Sequence, residues 1–116
     1  MDLIDFSTLE ELSQGDRNYF NEVIRIFIDT TSQSIERLKV LAGADDNTLE
    51  ISGIAHSLKS GVGIIKIKGL LEELIQVEEL AKSKETMQTA QTHLLNVFAI
   101  FEKARPLLEL HVKKAS

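Results

Sequence analysis

The chain has no cysteine and no tryptophan, and only one proline and one tyrosine in 116 residues. Without cysteine there is no disulfide framework, no thiol nucleophile and no cysteine zinc site. The composition fits a reducing compartment, so a cytoplasmic protein is expected. Long apolar runs are missing as well. The longest is VFAIF at 97–101, against the roughly 20 residues that span a bilayer, and the opening MDLIDF lacks the basic start and continuous apolar stretch of a secretory signal. No membrane association is expected. Positive charge is scarce too: 13 Lys and Arg against 18 Asp and Glu leave a net charge of −5. Neutralising phosphates takes a clustered basic face, so nucleic acid is not an expected partner, and His111, Lys113 and Lys114 read as a solvated tail. No HxxxH or HExxH spacing occurs, so no metal site is expected.

What is present is ordinary for a globular protein, with 43% hydrophobic and 27% charged residues. The length allows one domain, 1–116, with one core and no room for a separate nucleotide-binding domain. Ser7 can cap a short helix over 8–14, with Glu10 at the capping-box spacing and Gly15 as a stop. Asp16 then looks like the cap of a long helix in which Phe20, Val23, Ile24, Phe27, Ile28, Ile35, Leu38 and Leu41 keep mostly three- and four-residue spacing, around a polar middle at 30–34. The turn AGADDN at 42–47 offers Asp45 or Asp46 as the next cap. A third helix carries Ile51, Ile54, Ala55, Leu58, Val62 and Ile65 in one narrow stripe.

IIKIK at 64–68 alternates like a short strand, but no second strand pattern stands anywhere to pair with it, so 66–69 is expected to be a tight turn or helix junction. Leu70, Leu71, Leu74, Val77 and Leu80 mark a fourth helix, ending near Ser83. The last runs from about Glu85 through Leu94, Val97, Phe98, Phe101, Ala104 and Leu108 toward His111, with a kink expected upstream of Pro106. The fold class is therefore all-α: an antiparallel four-helix bundle with a short extra N-terminal helix.

One stretch sits badly in this scheme. AHSLKSGVG at 55–63 places a histidine and a lysine among serines and glycines in the middle of the third helix. Each mid-helix glycine costs about 1 kcal/mol relative to alanine, so Gly53, Gly61 and Gly63 together weaken the helix by roughly 2 to 3 kcal/mol. Winding the helix puts His56 roughly 150° from the apolar stripe, exposed, with Ser52, Lys59, Ser60 and Gly63 as its neighbours on that face. Small residues leave the ring standing clear for close approach by another protein, and Lys59 can offset an anion held there. An exposed histidine is largely neutral near pH 7 and offers one ring nitrogen as a nucleophile. It can accept a phosphoryl group without a bound cofactor. The plainer alternative is a surface histidine with glycines that end the helix at Ser60. His93 and His111 have no such setting and read as ordinary helix-surface residues.

These residues resemble the histidine-containing phosphotransfer (HPt) domains of phosphorelays. Members of that family carry a pattern like A-H-x-L-K-G-[SA] on the second long helix of a four-helix bundle, matched here by Ala55, His56, Leu58 and Lys59. Upstream, DRNYFNEVIRIFIDTTSQSIERLKVLAGADD is similar to the family's long helix and aspartate turn. Downstream, Leu70, Leu74, Val77 and Glu78 resemble its L-x-x-x-L-x-x-L-E run. Two departures stand out: Ser60 takes the place of the glycine that usually follows the lysine, with glycine displaced to Gly61, and Lys66 falls where a glycine commonly ends the helix.

The resemblance implies that His56 accepts a phosphoryl group from a receiver-domain phosphoaspartate and passes it to another receiver aspartate. Lys59 would support the charge, and Ser52, Ser60 and Gly63 would admit the partner. Glu78 falls where some members hold the distal ring nitrogen, with a solvated helix-face charge as the alternative. Leu49 and Ile64, with Leu9 and Leu12 of the first helix, are the apolar candidates for a docking face. The implied partners are receiver domains of response regulators and hybrid histidine kinases, met by a monomer. No cofactor is expected in this chain, Mg²⁺ being supplied by the receiver. There is no G-x-x-x-x-G-K-[ST] loop, so self-phosphorylation is not expected. Sensor-kinase dimerisation helices usually place an acid after their histidine, and here that residue is Ser57. The competing reading is a non-catalytic helical adaptor that binds receivers or other partners with His56 chemically silent.

Overall fold

The computed structural model describes residues 3–42 and 47–114, the side chains of 113 and 114 excepted. Five α-helices account for nearly all of it: α1 (Ser7–Ser13), α2 (Arg17–Ala42), α3 (Thr48–Ile64), α4 (Leu70–Leu80) and α5 (Met87–Lys114). A 3₁₀ turn, Lys84–Thr86, precedes α5. The four long helices pack in a closed ring, α2 on α3, α3 on α4, α4 on α5 and α5 on α2. The fold is the expected all-α bundle, its helices antiparallel and joined by short connections. At about 1.5 Å per residue, the 28 residues of α5 set the long dimension of the molecule, 47 × 23 × 21 Å.

The three- and four-residue spacing in the sequence becomes the core. Phe20, Ile24 and Leu38 of α2, Ile51, Ala55 and Val62 of α3, Leu70, Leu74 and Val77 of α4, and Ala90, Leu94, Val97, Ala104 and Leu108 of α5 are buried together. The polar middle of α2 does not break it. Thr31 is itself buried there, and the Thr30 hydroxyl donates back to the Ile26 carbonyl. Pro106 lies within α5.

The ends of the helices differ from expectation in several places. Residues 66–69 are not simply a turn: Lys66–Ile67 (β2) pairs antiparallel with Ile4–Asp5 (β1), Ile4 opposite Ile67 and Asp5 opposite Lys66, and the Lys68 N–H donates to the Leu3 carbonyl at 2.9 Å. The alternation in IIKIK was a strand signal after all. Its partner of two residues is too short to show a period, and it tucks Ile4 and Ile67 into the core.

Ser7 does not cap α1. It is the first helical residue, and its N–H and hydroxyl both donate to Oδ1 of Asp5 at 2.9 and 2.6 Å. Glu10 pairs with Arg17 instead of closing a capping box. Gln14 (φ 48°) and Gly15 (φ 84°) turn the chain left-handed between α1 and α2, and Asp16 then accepts the Tyr19 N–H at 3.1 Å, as a cap should. Asp45 and Asp46 lie outside the described residues. Leu9, expected on an exposed docking face, is fully buried in the core on the side of α1 that packs against α2, whereas Leu12 is exposed.

Candidate functional site

The glycines do not end the third helix at Ser60. α3 continues to Ile64, and the Ile65 N–H still reaches the Gly61 carbonyl at 3.0 Å. Ile51, Ala55, Leu58, Val62 and Ile65 hold the buried side, and His56 stands on the other, its side chain 69% exposed.

The small residues around it do not all play the same part. A Cβ on Gly53 or Gly63 would meet nothing within 4 Å, so at both positions the helix surface is open. Gly61 is different. A Cβ there would come within 3.2 and 3.3 Å of the Phe27 ring, so this glycine lets α3 approach α2. The displaced glycine therefore belongs to the packing between helices and not to the open face. The Ser57 hydroxyl folds back onto the Gly53 carbonyl and that of Ser60 onto the Ser57 carbonyl, both at 3.1 Å, which keeps these side chains low on the helix. Leu49 is largely exposed, whereas Ile64 is half-buried against the core. Beside Gly63, Leu3, Val62, Ile67 and Leu71 line an open hollow where the two strands meet α3 and α4.

Ser52 is not on the open face. It is buried where α3 meets α4, and its hydroxyl donates to the Glu78 carbonyl at 2.8 Å. The side chain of Glu78, only 17% exposed, turns toward His56: Oε2 lies 3.0 Å from Nδ1 of His56 and Oε1 2.6 Å from Nζ of Lys59. Of the two readings of Glu78, the geometry supports the one in which it holds the ring. Hydrogen bonding from Lys59 depresses its carboxyl pKa most, with burial opposing and His56 adding to the depression. An ionised carboxylate is an acceptor only, so the hydrogen bond to His56 requires the proton on Nδ1. The lone pair is then on Nε2, which has no partner among the described residues.

His93 is half-buried and not a surface residue, whereas His111 is exposed as expected, with its ring against an aromatic pair. Nδ1 of His93 is 2.6 Å from Oε2 of Glu73, whose other oxygen accepts from Asn96 at 3.3 Å, linking α4 to α5. The His111 ring packs 4.4 Å from that of Phe6, covering the end of the bundle near Phe20. Neither lies in the constellation of His56, Lys59 and Glu78. Sequence spacing missed the Ser52 contact and the Gly61 contact, because both depend on which helix packs alongside α3.

No known family model matches the chain, and no curated protein matches it. Two solved structures do. Histidine-containing phosphotransfer protein B of Pseudomonas aeruginosa superposes with a TM-score of 0.84 at 20% identity, over 97% of this chain and 96% of that one. A rice protein provisionally described as a histidine-containing phosphotransfer protein superposes with a TM-score of 0.72 at 18% identity, over 97% and 84% of the two chains. The chain thus has the HPt fold over nearly its whole length, and at these identities the likeness is one of fold.

Proposed function

We propose that this protein is a phosphorelay intermediate, with His56 as the phosphoacceptor. The observation that carries the reading is the arrangement at one ring: Nδ1 bonded to the Glu78 carboxylate, Nε2 without a partner among the described residues, and a helix surface left open at Gly53 and Gly63.

In the reaction the Nε2 lone pair attacks phosphorus of a receiver's phosphoaspartate. The N–P bond forms as the acyl P–O bond breaks, and the aspartate leaves as carboxylate. The ring keeps its Nδ1 proton and becomes cationic, which strengthens its bond to Glu78. Lys59, within reach of the same carboxylate, supplies positive charge near the transferred group. The receiver brings the Mg²⁺ and most of the charge stabilisation. Transfer onward to a second receiver is the reverse of these steps. The partners are receiver domains of response regulators and hybrid histidine kinases, met in the cytoplasm by a monomeric domain. No described helix is long and apolar enough to cross a membrane.

The test is incubation with a phosphorylated receiver and Mg²⁺, followed by assay for acid-labile, base-stable phosphate on this chain. Wild type should be labelled and His56→Gln should not. Absence of label on wild type, or equal label on both, would favour the silent-adaptor reading.

A further inference from the structure

We propose that Ser52 is a positioning residue for the His56 site: its hydroxyl holds the end of α4 so that the Glu78 carboxylate selects the proton position on the imidazole. The proposal rests on the phosphotransfer reading for its consequence in catalysis, but not for its effect on the ring.

The argument starts from the end of α4. The last four carbonyls of any helix lack intrahelical partners and must be satisfied otherwise. Here each has a donor. The Val77 carbonyl accepts the Ala81 N–H at 2.9 Å, the Glu79 carbonyl accepts the Lys82 N–H at 3.4 Å, and the Leu80 carbonyl accepts the Thr86 hydroxyl at 2.6 Å. The Glu78 carbonyl is served by the Ser52 hydroxyl, which reaches across from α3 at 2.8 Å. Ser52 is 7% exposed, so water is a poor substitute.

Glu78 thus sits in the last turn of its helix, where its carbonyl depends on a side chain of α3 for its hydrogen bond, while carrying the carboxylate that touches both His56 and Lys59. Ser52 and His56 are one turn apart on α3 and grip the same residue of α4. One holds its backbone and the other its side chain. Fixing the backbone matters because the tautomer needed is not the one free imidazole prefers. Unrestrained histidine favours the proton on Nε2, whereas this site needs it on Nδ1. A carboxylate allowed to move with a fraying helix end would lose that selection, and Nε2 would spend more time protonated and unable to attack.

Nitrogen-15 correlation spectra of the histidine rings, recorded on unphosphorylated protein above the pH of ring protonation, read the tautomer directly. Wild type is expected to show His56 mainly in the Nδ1–H form. Ser52→Ala should shift it toward Nε2–H and slow transfer from a phosphorylated receiver by about two- to tenfold, the range for loss of one neutral hydrogen bond. Ser52→Thr, which keeps the hydroxyl, should restore both. Circular dichroism checks that the variants are folded. Should Ser52→Ala lose structure, Ser52→Cys keeps the volume with only a weak donor, and the same shift is expected. A folded variant lacking the hydroxyl that shows the wild-type tautomer and rate overturns the proposal. If wild type takes no phosphate yet Ser52→Ala still moves the tautomer, the phosphotransfer reading fails and the positioning role stands.

Discussion

Oε2 of Glu78 and Nδ1 of His56 are 3.0 Å apart, across the seam between α4 and α3. The contact decides which ring nitrogen is free, and so separates two substitutions that would otherwise look alike. Glu78→Gln keeps a carbonyl oxygen able to accept from Nδ1, whereas Glu78→Ala removes the acceptor. Transfer from a phosphorylated receiver is expected to fall on the order of tenfold in Glu78→Ala and less in Glu78→Gln. Single-turnover phosphotransfer would measure both, and equal rates in the two variants would show that the hydrogen bond does not matter.

The same carboxylate gives stability a pH dependence of known sign. Its pKa is held below the ordinary 4.5, chiefly by Lys59. In acid the unfolded chain therefore takes up this proton before the folded one does. The stabilisation is complete above the ordinary value and is lost as pH falls through the native one. Urea unfolding of wild type and Glu78→Gln, compared from neutral pH down to about pH 3, should show a stability difference that is constant at neutral pH and shrinks in acid. A difference that stays constant down to the acid end would mean that the ion pair is absent in solution.

Lys59 has two claims on it, the Glu78 carboxylate at 2.6 Å and, in the proposed reaction, the phosphoryl group. Lys59→Ala should slow transfer by up to about fivefold, because a nearby partly exposed charge contributes modestly. The His56 tautomer should persist, since Glu78 still reaches Nδ1. Rates together with ring nitrogen spectra would check this, and an altered tautomer would show that Lys59 is needed to place Glu78.

How much of this was legible in the sequence varies with how local each feature is. Winding α3 at 3.6 residues per turn was enough to place His56 opposite the buried stripe, because that result depends on one helix only. The ring of four helices likewise followed from apolar spacing. Ser52 lies off the expected open face because residue i−4 from an exposed histidine can face either solvent or a neighbour, and only the position of α4 decides. Leu9 and Leu12 lie three apart on a helix of seven residues, too short for spacing to say which is covered. The ribbon between Ile4 and Ile67 joins distant residues through two-residue strands, well below the usual length of about five to six that makes alternation readable. Only family resemblance points to Glu78 as a neighbour of the ring, since nothing in its own sequence neighbourhood distinguishes it from other helix-face glutamates.

Gly61 and Gly63, two residues apart, should answer the same substitution in opposite ways. Leucine at 61 would drive into the Phe27 ring, already 3.2 Å from where a Cβ would sit, and overpacking of this kind costs about 1–3 kcal/mol. Leucine at 63 would project into open space and gain helix propensity of up to about 1 kcal/mol. Urea unfolding should therefore find Gly61→Leu destabilised and Gly63→Leu as stable as wild type or more so. Phosphotransfer should separate them in the other direction. Gly63→Leu is expected to lose transfer while fully folded, since bulk about two turns along the same face as His56 obstructs the receiver. Gly61→Leu should keep transfer under conditions where it remains folded. If Gly63→Leu transfers at the wild-type rate, the open surface beside the ring is not where the partner approaches, whatever the role of His56 itself.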